Sequence, residues 1–110
     1  MIKLLMGWEI RPDKEAEYFE FMMKEFAPAL MQLGLQPTEV WYTMFGSGPQ
    51  ILIGGVTQDL DTMVDILESQ EWQDIYRELL AYVHHYRHKV VRATGRLQLL
   101  PPEDGAEEEE

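Results

Sequence analysis

All three histidines of this chain fall within one short segment that also contains two tyrosines. His84, His85 and His88 follow Tyr82 and flank Tyr86. Imidazole titrates near neutral pH, so a histidine beside a phenol could position or transfer a proton. We therefore take His84, His85 and Tyr82 as candidate catalytic residues. A structural alternative stays open, because His and Arg side chains at the C-terminus of a helix interact favourably with the helix dipole.

Metal binding is a second chemistry that this segment could support. On a helix, His84 and His88 would share a face and could both reach one ion. A structural or catalytic site needs a third ligand, and no carboxylate nearby in the sequence supplies it. The chain also has no cysteine, which excludes thiolate ligands, disulfides and iron–sulfur clusters. The sequence therefore predicts neither a metal site nor a cofactor.

Aromatic residues are the other set with functional potential. Flat ligands bind against aromatic rings, which makes Trp8, Trp41, Tyr42 and Tyr86 candidate ligand-binding residues. On strands and amphipathic helices, however, the same residue types more often fill a core or an interface. Both interpretations stay open at this stage.

The first half of the chain predicts a strand followed by a long helix. Alternating apolar side chains indicate a strand over 2–10, and Asp13 is placed to cap the helix that follows. We expect this helix to kink at Pro28 and to end at Gly34. Its apolar stripe is predicted to consist of Phe19, Met22, Met23, Phe26, Leu30 and Leu33.

The second half predicts a hairpin, a second helical region and a last strand. Strands are expected over 39–45 and 50–56, with a glycine-rich turn between them. Asp59 begins the second helical region, and Ser69 interrupts and recaps it. The histidine segment is expected at the exit of this helix, before a strand over 89–100.

This order of elements, βαββαβ, indicates an α+β class of ferredoxin-like fold. Two helices would cover one face of a four-stranded antiparallel sheet. Both faces of the strands are apolar, since Trp8 alternates with Leu5 and Gly7, and Trp41 alternates with Tyr42. A second copy of the sheet is the simplest cover for the other face. The sequence therefore predicts a homodimer.

Composition limits the partners and the location of the protein. The net charge is −11, and six of the twenty acidic residues lie in the last eight positions. Residues 1–100 are therefore expected to form one domain, and residues 101–110 a disordered acidic tail. A net acidic chain repels phosphates, which speaks against nucleic acid. Neither a signal peptide nor a membrane span is recognisable, so no membrane partner and a cytoplasmic location are expected.

Several segments resemble the dimeric α+β barrel superfamily, which includes antibiotic-biosynthesis monooxygenases, NIPSNAP-like proteins and stress-responsive barrel proteins. The resemblance covers about residues 1–100 and is carried by Arg11-Pro12-Asp13-Lys14, Gly34, Val40-Trp41, Leu67-Glu68-Ser69-Gln70-Glu71-Trp72 and the exit from Tyr82 to Val91. It implies the ferredoxin-like fold and the dimer. The haem-degrading branch is a poor match, because this chain contains no asparagine and its histidines come later than that branch's haem ligand.

Three functions follow from these observations and the resemblance. The first is a dimeric barrel protein that binds a small apolar or aromatic ligand between helices and sheet. The second is a cofactor-independent monooxygenase or isomerase of the antibiotic-biosynthesis type, with His84 or His85 and a tyrosine handling protons. The third is a structural or regulatory dimer without a ligand. An enclosed pocket in which a titratable group meets aromatic rings would distinguish the enzyme from the other two.

Overall fold

A computed structural model describes residues 1–92 of the chain. Its elements are β1 (Ile2–Ile10), α1 (Glu15–Phe21), a π-helical segment (Met22–Phe26), α2 (Ala27–Leu33), β2 (Gln36–Tyr42), β3 (Ile51–Thr57), α3 (Leu60–Glu68), α4 (Gln70–Leu79) and β4 (Val83–Arg92). The predicted acidic tail and the end of the predicted last strand lie outside the described residues. Within 1–92, no helix has the length and apolarity needed to cross a bilayer. The cytoplasmic location stays a prediction.

The four strands form one antiparallel sheet in the order β2-β3-β1-β4. One face of this sheet, here called the inner face, packs against the helices and forms a single core. The α+β class and ferredoxin-like topology predicted from the sequence are confirmed. The core contains Ile2, Leu4, Met6, Trp8, Ile10, Tyr18, Phe21, Phe26, Leu30, Leu35, Ile51, Ile53, Met63, Ile66, Trp72, Ile75, Leu79 and Val83.

The first helix differs from its prediction at its start and in the register of its buried face. Asp13 adopts a positive φ of 66°, and the helix follows Lys14 without a side-chain cap, so the predicted Asp13 cap is wrong. Tyr18 and Phe21 are buried, whereas Phe19 is 41% and Met23 is 78% exposed.

The π-helical segment explains the shifted register. The N–H of Ala27 donates to the carbonyl of Met22, five residues back. Pro28 follows at once and has no N–H to offer to the preceding turn. The irregularity predicted at Pro28 therefore appears as a widened turn just before it, which adds a residue to the helix repeat.

The second helical region has the predicted caps but ends earlier than expected. Asp59 Oδ1 accepts a hydrogen bond from the N–H of Thr62 at 2.8 Å, and Ser69 Oγ accepts one from Trp72 at 3.1 Å. The helix stops at Leu79, and β4 begins at Val83. The histidine segment therefore lies on a strand and not at the C-terminus of a helix, which corrects the prediction.

Two glycines on β3 allow close approaches by neighbouring side chains. A Cβ on Gly54 would lie 2.9 Å from Thr38 Oγ1, and a Cβ on Gly55 would lie 3.0 Å from Leu35 Cγ. The β2–β3 pairing shifts between Pro37 and Glu39, which marks a bulge opposite these glycines. β2 itself covers 36–42, three residues earlier than predicted.

The indole of Trp8 is fixed in the core by a buried hydrogen bond. Its Nε1–H donates to the hydroxyl of Tyr18 at 3.0 Å, and both side chains are almost fully buried. Burial raises the pKa of Tyr18 to about 12, so the phenol stays protonated and accepts through its oxygen. The edge of the Phe26 ring packs against the same indole, 5.9 Å between centroids.

We expect Tyr18→Phe to destabilise the protein by ~1–3 kcal/mol, because it leaves the buried N–H of Trp8 without an acceptor. Urea unfolding at one fixed protein concentration would measure the loss. Tyr42→Phe is the matched control: its side chain is half exposed, and the expected change is within ~0.5 kcal/mol. Equal losses in the two variants would contradict this role for Tyr18.

Candidate functional site

A β-bulge at the start of β4 organises the candidate site. Gly7 pairs with Arg87 and Glu9 pairs with His84, so two residues of β4 oppose the single residue Trp8. His85, one of the two, has a φ of 58°. A non-glycine residue in this left-handed region is uncommon and marks a strained backbone, which occurs preferentially at functional sites.

The bulge sends the histidines to opposite faces of the sheet. On a regular strand, residues four apart share a face. Here the extra residue reverses the alternation between His84 and His88. His88 lies on the inner face beside Trp72, whereas His84 lies on the opposite, outer face beside Glu9. His84 and His88 therefore cannot bind one metal ion together, as they could have done on one face of a helix.

On the inner face, Tyr86 and His88 form a hydrogen-bonded pair within an aromatic cluster. The Tyr86 hydroxyl lies 2.8 Å from His88 Nδ1. The Tyr86 ring stacks on Trp8 at 5.9 Å and meets the edge of Tyr76 at 4.9 Å. Trp72 contacts both Tyr76 and His88. This cluster joins α4 to β4 and is the one place in the described chain where a phenol contacts an imidazole.

Desolvation affects both members of this pair, although His88 is exposed and Tyr86 is only partly buried. Desolvation raises the pKa of Tyr86 above its ordinary value, so the phenol stays protonated and donates a hydrogen bond to His88 Nδ1. Desolvation lowers the pKa of His88, which favours the neutral imidazole that such a donor requires. The imidazole is therefore neutral at neutral pH, with its ring proton on Nε2, and it can accept a proton at Nδ1 only when the Tyr86 hydroxyl turns away.

On the outer face, His84 and His85 converge on a carboxylate that sequence reasoning did not connect with them. Glu9 Oε1 lies 3.5 Å from His84 Nε2 and 3.2 Å from His85 Nδ1. The two imidazole rings stack with their centroids 4.3 Å apart. Glu9 was missed because it comes from β1, and only the strand pairing brings it to the histidines.

Of the remaining predicted site residues, Trp8 belongs to the inner-face cluster through its contact with Tyr86, and Tyr82, Tyr42 and Trp41 lie apart from both clusters. The Tyr82 ring stacks on Phe21 at 4.7 Å, at the end of the core. Trp8 is fully buried. Tyr42 is half exposed beside Phe19. Trp41 is 62% exposed on the outer face, where it lies opposite Leu52 of the neighbouring strand β3.

The outer face also carries an apolar depression, here called the outer groove. Its volume is about 280 Å³. Pro49, from the β2–β3 loop, forms one wall by packing against Gly7. A Cβ on Gly7 would lie only 2.9 Å from Pro49 Cγ, so a larger residue would clash there. The groove is lined by Leu5, Met6, Gly7, Pro49, Leu52, Arg87, His88 and Lys89.

The space between helices and sheet, where the sequence analysis expected a ligand, is occupied by side chains of the core. Trp8, Tyr18, Phe26 and Met63 meet there, and each is at most 2% exposed. A ligand at that position would have to displace several of them. The outer groove, in contrast, is accessible and faces away from the helices.

Comparison with known proteins identifies the fold. No family profile matches the chain, and no curated protein is similar to it in sequence. A NIPSNAP family protein from Agrobacterium tumefaciens superposes with a TM-score of 0.68 at 19% identity, covering 90% of this chain and 98% of that one. An uncharacterised NIPSNAP domain protein from Burkholderia xenovorans gives 0.66 at 13% identity, covering 93% and 100%.

A third similar structure adds an assembly state. It is described as a dimeric protein of unknown function with a ferredoxin-like fold, from Bacteroides fragilis. Its TM-score is 0.57 at 16% identity, with 84% of this chain and 95% of that chain covered. The ferredoxin-like α+β fold that the resemblance implied is thus confirmed.

His88 is expected to titrate below the ordinary histidine value of 6.5, because its environment penalises the imidazolium. NMR of the ring C–H signals against pH would measure this, with His88→Gln assigning the resonance. The unfolded chain binds this proton more tightly. The contribution of His88 to stability is therefore present above about pH 6.5 and lost as the pH falls through its folded-state pKa.

Tyr86→Phe tests whether desolvation or the hydrogen bond from the Tyr86 hydroxyl lowers the pKa of His88. Phenylalanine keeps the ring that covers His88 but removes the hydroxyl, so the lowered pKa should persist. A value at or above 6.5 in the unmodified protein, or a return to 6.5 in Tyr86→Phe, would contradict desolvation as the cause.

Proposed function

We propose that this protein works as a homodimer in which two outer sheet faces meet and enclose a binding site for a small apolar or aromatic ligand. The observation that carries this proposal is the outer groove, an apolar depression beside the exposed Trp41. The helices cover only the inner face, so the outer face of each chain lacks a cover within residues 1–92.

The chemistry of the outer face favours a second copy as its partner. Trp41, Leu52 and Gly7 form a row across three strands, and Leu5 lies beside it. Apolar rows of this kind bury well against an identical sheet around a two-fold axis. The charges on this face include an internal pair, since Lys3 Nζ lies 2.9 Å from a Glu39 carboxylate oxygen. The dimeric protein with the similar fold supports the same assembly.

The lining of the outer groove suggests the class of ligand. Leu5, Leu52 and Pro49 offer apolar contacts, whereas Arg87 and Lys89 offer positive charge. An apolar or aromatic body with one anionic group would satisfy both. A second copy packed over the groove would remove the ligand from water, which strengthens the contact with both cations.

The Tyr86–His88 pair favours a second candidate function, proton-transfer catalysis of the kind performed by cofactor-independent monooxygenases or isomerases. His88 lines the outer groove as well as contacting Tyr86. Its imidazole lies on the inner face, however, so a substrate of this pair would bind beside Trp72 and Tyr76 and not in the outer groove. The neutral imidazole could remove a proton from an activated carbon of an aromatic substrate through Nδ1, once the Tyr86 hydroxyl turns away from that nitrogen.

Trp41→Glu is expected to convert the dimer to a monomer, because it would place a carboxylate in an apolar interface. We expect the dissociation constant to rise by ~100-fold or more, which corresponds to ~2.7 kcal/mol. Light scattering on a size-exclusion column would measure the mass. Met23→Glu is the matched control, since Met23 is also exposed but lies on the π-helical segment, away from the outer face of the sheet. Dissociation in both variants, or in neither, would contradict the proposed interface.

Anilinonaphthalene sulfonate, an aromatic anion, tests the groove directly. The native dimer should bind it, and Arg87→Met with Lys89→Met should weaken binding by about fivefold per lost cation, or ~1 kcal/mol each. Fluorescence titration would measure the affinity, and Lys14→Met, at the exposed start of α1, is the control. Equal affinity in all variants would place the probe elsewhere and contradict the proposed ligand class.

A further inference from the structure

The cluster of Glu9, His84 and His85 has the composition of a metal site. It offers two imidazole nitrogens and a carboxylate oxygen within 4.8 Å of one another. None of the three belongs to the proposed ligand groove, and the Tyr86–His88 pair uses a different face of the sheet. Two of the three side chains are about one-third exposed and His85 is more exposed still, so an ion can reach them from solvent.

The bulge is what makes adjacent histidines converge. Side chains of consecutive residues on a regular strand point to opposite faces, so His84 and His85 could not reach one ion. The positive φ of His85 places its ring beside that of His84, where the two rings stack at an angle of 13°. The lone pair of an imidazole nitrogen lies in the plane of its ring, so metal binding requires one ring to rotate out of this stack. A backbone conformation that costs energy is thus kept where it brings two nitrogen ligands beside a carboxylate.

Two of the three distances between ligand atoms match the geometry of a transition-metal site, and the third is at most 4.8 Å. Ligands about 2.0–2.1 Å from a tetrahedral Zn²⁺ are separated from each other by ~3.3–3.4 Å. Glu9 Oε1 lies 3.5 Å from His84 Nε2 and 3.2 Å from His85 Nδ1. A cation placed between these atoms would also neutralise the carboxylate. Imidazole and carboxylate ligands suit Zn²⁺ and neighbouring divalent metals, not Ca²⁺ or Mg²⁺.

We propose that Glu9, His84 and His85 bind a divalent transition-metal ion, with Zn²⁺ as the test ion. Three protein ligands leave one tetrahedral position open, as in catalytic zinc sites, and structural sites fill all four. The open position would hold water or an anionic or carbonyl group of a substrate. One chain supplies all three ligands, so binding needs no residue of a second copy, although the cluster lies on the face that the proposed dimer covers.

The experiment is Zn²⁺ titration of the full-length chain by calorimetry, with Co²⁺ absorption reporting the coordination geometry. We expect one ion per chain, and a loss of affinity of at least ~tenfold in each of Glu9→Gln, His84→Ala and His85→Gly. Glycine tolerates the positive φ of position 85, so His85→Gly removes the ring and keeps the bulge. Circular dichroism would verify folding of each variant.

His88→Ala is the matched control, since it removes a histidine from the same strand that lies outside the cluster. It should retain the affinity of the unmodified chain. Zn²⁺ held by carboxylates elsewhere, including those of residues 103–110, would survive all three cluster substitutions. Unchanged affinity in those variants, or an equal loss in His88→Ala, would overturn the proposal whatever the oligomeric state.

Discussion

The structure depends on the way β4 accommodates Trp8. The indole lies wholly in the core, donates to Tyr18 and stacks on Tyr86. β4 meets this residue with two residues in place of one, and His85 takes up the strain with a positive φ. That local conformation determines which side chains of β4 join the core and which face away from it.

Both candidate clusters follow from this one irregularity. Beyond the bulge, Tyr86 and His88 lie on the inner face, where aromatic side chains of α4 pack against them and partial desolvation shifts the pKa values of both groups. Before the bulge, His84 and His85 lie beside Glu9. A regular strand would have separated the adjacent histidines and kept His84 with His88. The proton-handling pair and the proposed metal ligands are therefore two results of the same backbone feature.

The outer face is subject to a different constraint, because the helices of the described chain do not cover it. Two helical regions cover the inner face and leave the other one to Leu5, Leu52 and Trp41. The absence of a side chain at Gly7 lets Pro49 fold onto the sheet and build a wall of the outer groove. An apolar face with a depression at its centre and cations at the rim is suited to a second copy and a small anionic ligand together.

Much of this fold could be predicted from the sequence, because its signals are local. The caps at Asp59 and Ser69 and the left-handed stop at Gly34 depend on residues within one turn of each other. The register of the first helix could not be predicted, because a π-helical turn before Pro28 displaces the apolar stripe. The bulge in β4 could not be predicted either, because it arises from pairing with β1. The same pairing brings Glu9 to the histidines, from which it is far away in the sequence.

The central claim is that two copies of this chain enclose a ligand between their outer faces. Native mass spectrometry of the untagged full-length protein, purified without denaturation, tests it most directly. We expect the mass of two chains plus a reproducible small-molecule increment. This increment should be lost together with the dimer when the gas-phase activation energy is raised. The mass of a single chain at micromolar concentration would contradict it.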